Sequence, residues 1–140
     1  MAKEEERKIL ALEEEAGDVG YALLEYTLTA GEEELTNRFR WIAHHLRQTI
    51  REESPAKRRP LRQEISKRTK ELSDVVRERY NQHKLPFRCI NDYDECVRKR
   101  KREKKSPYLC SVALFICLAN SVKVLVTAVA AGAGHSVSRL

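Results

Sequence analysis

Apolar positions along this chain recur at helical spacing. Leu35, Phe39, Ile42, Leu46 and Ile50 follow one another in steps of four, three, four and four, which predicts an amphipathic helix with one face turned to a core. Leu61, Ile65, Leu72, Val76 and Tyr80 form a second stripe, narrowed where Arg68 or Thr69 stands in place of a further apolar residue. Ahead of these, residues 3–16 predict a short Glu-rich helix with Ile9, Leu10 and Leu12 as its apolar part, broken by Gly17 and Gly20. Val19 to Leu28 follows as a short apolar stretch, and helix suits it better than strand because no partner strand lies nearby. Thr29 with Glu32 three residues on has the pattern of a capping box for the helix that starts there.

Two prolines between Ser54 and Pro60 predict a linker, with Pro60 opening the next helix. Leu85 and Pro86 close that helix, and residues 91–104 predict another, almost wholly basic in its far half. Ser106 and Pro107 then give a start signal, a hydroxyl to cap orphan amides and a proline in the first turn. The 28 residues from Pro107 to Gly134 carry a single charge, Lys123. At about 1.5 Å per residue such a stretch crosses a hydrocarbon core of about 30 Å. The run before it, Arg98, Lys99, Arg100, Lys101, Arg102, Lys104 and Lys105, is the basic collar expected on the cytoplasmic side of a span, where anionic lipid headgroups are the natural contact.

The expectation is therefore an all-α protein: amphipathic helices in a small, partner-dependent bundle plus one C-terminal transmembrane helix. Its regions are an acidic-to-amphipathic part (1–53), a linker (54–60), a basic helical part (61–105), the span (106–134) and a short tail (135–140). Narrow stripes leave little apolar area for a self-sufficient core, so the helices are expected to dock on other subunits. Lys123 near mid-span costs about 2.5–3.5 kcal/mol on an insertion scale. With Asn120 and Thr127 it shares one helical face, which predicts an intramembrane contact with a neighbouring protein; a lysine that snorkels or is merely tolerated is the alternative.

Charge is segregated. Residues 1–37 carry a net −8 and residues 38–106 a net +12, against +6 for the whole chain. Such a head and middle attract each other, a second copy, or separate partners, so net charge alone does not single out nucleic acid. The Glu-rich start has neither the early apolar run of a secretory signal nor the acid-poor, Arg-rich pattern of a transit peptide. The chain is then expected to be tail-anchored and single-pass, its bulk in cytosol, bacterial cytoplasm or an organelle matrix, with the mitochondrial inner membrane among the membranes open to it.

Four cysteines add a geometric signal. Cys89 and Cys96 are seven apart, Cys110 and Cys117 are seven apart, and both the outer and the inner pair are centred on Glu103. Seven residues is close to two turns, so an antiparallel hairpin turning near Glu103 brings Cys96 to Cys110 and Cys89 to Cys117 as two disulfide rungs. The arrangement resembles the coiled-coil-helix-coiled-coil-helix family, whose paired cysteines have nine intervening residues where this chain has six; no function is carried over. Four free thiols buried as small hydrophobes are the alternative. Zinc is disfavoured, since His83 with Cys89 and Cys96 lacks the short ligand spacing of structural sites.

Candidate chemistry is sparse. Arg38, Arg40, His44 and His45 resemble the Arg-to-His motif of HEPN ribonucleases, although Phe39 and Trp41 stand where that family usually has a polar residue. No nucleophile elbow or phosphate-cradling glycine loop is present in the sequence. No cofactor is expected, and the leading function is a structural or accessory subunit of a membrane complex rather than an enzyme. The competing one is a soluble or peripheral basic module that binds nucleic acid, with the last helix buried against the others and the cysteines bridged.

Overall fold

In the computed structural model of the chain the described residues are 2–132, with side chains from 3 to 128. They form five helices and no strand: α1 (Ala2–Thr29), α2 (Glu33–Arg51), α3 (Pro55–Arg79), α4 (Lys84–Arg102) and α5 (Tyr108–Gly132). The predicted tail, 135–140, and the last residues of the predicted span lie outside the described part. Short connections make the helices alternate in direction. α1 packs on α2 and α5, α2 on α3, α3 on α4 and α5, and α4 on α5, so α5 closes the bundle between α1 and α4.

The expected break in α1 is absent. Gly17 and Gly20 lie inside one continuous helix, and Gly20 is a point of close approach: a Cβ there would sit 2.9 Å from both the Ala43 Cβ and the Phe115 ring. The glycine that does turn the chain is Gly31, at φ +77°. Its amide bonds Leu28 O and the Glu32 amide bonds Thr27 O, the paired closure of a helix that ends in a left-handed residue. The capping box is not formed, because Thr29 is still in α1 and donates its hydroxyl to Glu25 O. α2 begins after Glu32 without a side-chain cap.

The linker expected at 54–60 is helical from Pro55 onward. Pro55 fills the first turn, where no amide is needed, and Pro60 is carried inside α3 at the loss of one backbone bond. α4 starts at Lys84, ahead of the expected 91. The start of α5 is as predicted: the Tyr108 amide donates to the Ser106 hydroxyl at 3.3 Å, and Pro107 O accepts from the Cys110 amide.

The α2 stripe is buried as its spacing predicts, with Leu35, Phe39, Ile42 and Leu46 all inaccessible and Ile50 half-buried. On α3 Thr69 fills the gap in the stripe, buried and donating to Ile65 O. Both narrow stripes find an apolar partner within the same chain. α5 contributes Val112, Phe115, Leu118, Ala119 and Val122 to one continuous core, and the Phe39 and Phe115 rings meet at 5.5 Å. α5 is long and apolar enough to cross a membrane, and 61% of its apolar window is buried within the bundle.

Candidate functional site

One end of the bundle gathers the start of α1, the start of α3, the end of α4 and the start of α5. The acidic head and the basic middle meet here inside one chain. Arg62 holds two carboxylates at once, Glu6 at 2.7 and 3.0 Å and Glu13 at 2.9 and 3.0 Å. Glu13 is fully buried and accepts the Tyr108 hydroxyl at 2.6 Å, while Arg58 reaches Glu6 at 3.2 Å. Arg100, from the collar, donates to Glu5 at 2.8 Å and to Ser106 O at 2.6 Å. Burial opposes the charge on Arg62, but the hydrogen bonds it donates to Glu6 and Glu13 outweigh this and hold the guanidinium above its ordinary pKa. The same bond to Arg62 holds the Glu6 carboxyl below its ordinary value, and Arg100 does this for Glu5.

Two arginines and two carboxylates make this inner network neutral, and no buried side-chain nitrogen or oxygen among the described residues lacks a partner. The network fastens α1 to α3 and α5. A groove of about 640 Å³ runs beside it, with Ile9, Pro55 and Pro107 among its walls and Arg59 among the residues lining it.

Pairing the acids internally leaves cations outside. Arg98, Lys99, Lys101, Arg102, Lys104 and Lys105 are exposed, and Lys57 and Arg59 at the start of α3 add to the same end. Among the described residues, Lys105 of this collar also has an acidic neighbour, Glu103 at 3.7 Å on the surface. Lys104 stands at φ +57° and closes α4 in the way Gly31 closes α1, with the Lys105 amide on Arg100 O and the Lys104 amide on Lys101 O. That turn presents the run as a corner between α4 and α5.

The cysteines pair as the hairpin geometry predicts, Cys96 with Cys110 and Cys89 with Cys117, each with Cα atoms 5.7 Å apart. No group of three or more metal-ligating side chains occurs among the described residues. The predicted contact face on α5 is at the surface of the bundle. Asn120 and Lys123 are exposed, Thr127 donates to Lys123 O, and the Lys123 ammonium lies 5.1 Å from the Tyr26 ring.

The HEPN-like residues lie along α2, where the His44 and His45 rings meet edge to face at 5.3 Å. Arg38 bonds Glu34, Arg40 bonds Asn37, and His45 stacks on Trp41 at 3.7 Å with its Nδ1 against Trp41 O. The trio of buried Glu13 and Tyr108 with half-buried Arg62 has no place in the sequence expectation, yet a signal exists. Glu13 occupies the stripe position between Ile9 and Ala16, and Arg62 lies three before Ile65, so both are charges in phase with the core. Comparison of the chain with protein-family models, curated proteins and solved structures finds no match.

Proposed function

We propose that this protein is a non-enzymatic docking module that sits on an anionic membrane surface through its basic pole, with α5 retained in the bundle. The observation that carries this reading is the exposed corner Arg98–Lys105, where six cations face water while Glu5, Glu6 and Glu13 at the same end are held by Arg100, Arg58 and Arg62. Each Lys or Arg near an anionic leaflet contributes about 1 kcal/mol, so six exposed cations supply a useful affinity without a shaped pocket. Nucleic acid has less support. Residues 98–105 contain no aromatic side chain on which a base would stack, and two disulfides suit an oxidising compartment. Docking of the amphipathic stripes on other subunits also has less support, because those stripes face inward.

Vesicle flotation tests the proposal. The protein should float with phosphatidylserine-containing vesicles at low salt, release at high salt and ignore pure phosphatidylcholine. Reversing Lys99, Lys101 and Arg102 to Glu should lower binding by at least a hundredfold, at about 1 kcal/mol for each charge lost. Equal binding to neutral vesicles, or tight binding to duplex RNA by a protein that ignores anionic vesicles, would overturn it.

A further inference from the structure

The helix with the composition of a span is stapled to a helix that cannot follow it into lipid. Cys110 and Cys117 on α5 hold Cys96 and Cys89 on α4, so the first part of α5 and the middle of α4 move as one body. Between the bridged cysteines of α4 stand Asp92, Asp94 and Glu95, all exposed. Hydrocarbon that took in Cys110 to Cys117 would take in these carboxylates too, and one buried charge at mid-bilayer lowers insertion on the order of a hundredfold.

Apart from the staples α4 buries few side chains. Of its 19 residues only Pro86 and Cys89 are buried, and Cys89 is itself a bridge residue. Its polar ties are the Arg100 bonds to Glu5 and to Ser106 O at its foot, the Cys89 Sγ–Ser121 Oγ contact at 3.3 Å, and the Lys70 ammonium 5.9 Å from the Tyr93 ring. Under α4 lie Leu114 and the bridged Cys110 and Cys117, next to Ala113 and Val124, which are already exposed. This strip belongs to a stretch of 21 residues, Tyr108–Ala128, that satisfies the length and apolarity of a crossing helix.

We infer that the two disulfides are a redox latch: when both are reduced, α4 lifts away and α5 passes from the bundle into the hydrocarbon of the bilayer on which the basic pole is docked. The inference rests on the docking reading for its target. A dithiol is the reductant; each bridge takes two electrons and two protons, two cysteine thiols form, and the dithiol closes to its own disulfide. The collar at the start of α5 then lies at the headgroups, and Lys123 is the one charge the span must accommodate.

The test uses the full chain on phosphatidylserine-containing vesicles, oxidised or reduced with dithiothreitol, floated and then extracted with alkaline carbonate. The oxidised protein should be extracted and the reduced protein retained. Val124→Lys places a second charge in the span at an exposed position, so its bundle and its low-salt docking should be unchanged while retention after reduction falls on the order of a hundredfold. Hydrogen exchange provides the second readout: on reduction the α4 amides should lose protection, and with vesicles present the helices that α5 covered should lose protection as well. Salt-sensitive docking without retention after reduction, retention of the reduced Val124→Lys protein at the level of the parent, or undiminished protection of α1 and α2 in the reduced, vesicle-bound protein would overturn the latch. Failure to float in either redox state would instead overturn the docking reading.

Discussion

α2 and α4 are each 19 residues long and run in the same direction through the bundle, yet opposite means hold them. α2 buries seven side chains, with Phe39 and Leu46 at the centre of the core. α4 buries two and relies on bridges closing chain separations of 14 and 28 residues. Closing a loop of about 15 residues removes about 3 kcal/mol of denatured-state entropy, comparable with burying two large apolar side chains. A covalent tie thus stands where the stripe, Pro86, Cys89, Tyr93 and Cys96, is thin and includes the bridging cysteines themselves. The difference matters because packing responds to temperature and denaturant, whereas a bridge also responds to the redox state of its surroundings.

The sharpest way to break this comparison is to truncate one side chain in each helix. Phe39→Ala should cost about 3–5 kcal/mol in urea unfolding, and Ile90→Ala, half-buried on α4, less than about 1 kcal/mol. Similar losses at both positions would show that α4 is held by packing after all.

Acid should act at the foot of α4 and the start of α3. Glu6 and Glu5 titrate below their ordinary value of 4.5 because of their bonds to Arg62 and Arg100. A depressed folded pKa contributes stability above the unfolded value and loses it as pH falls through the folded one. The urea midpoint should therefore decline below about pH 4.5. Glu6→Gln should make the decline shallower; an unchanged slope would remove the Arg62 pair from the account.

The smallest expected effect concerns the two left-handed turns. Lys104→Gly should stabilise by roughly 1 kcal/mol, since a side chain in that conformation carries a steric penalty that glycine lacks. Gly31→Ala should destabilise by a similar amount. Thermal melts of the two variants, shifted in opposite directions, would check the pair.

The parts of this fold that could be read from sequence are those governed by local spacing. The α2 stripe, the Ser106–Pro107 start and the twin cysteine separations each depend on a few neighbouring residues. Gly17 and Gly20 misled because a glycine pair reads as a break unless another helix is known to press on it, and that helix lies more than twenty residues away. The Glu13–Arg62 pair joins residues 49 apart, so only the phase of each charge hinted at it. The α5 segment was legible as an apolar helix, but whether its surroundings are lipid or four other helices is a tertiary fact that composition does not carry.

Because Phe115 seats against Phe39 and Gly20, the keystone of this fold is made after the four helices it locks together. Until α5 is available their inner surfaces are uncovered, and neither bridge has its second sulfur. Maturation therefore waits for α5, and a holding chaperone has its clearest opportunity in that interval.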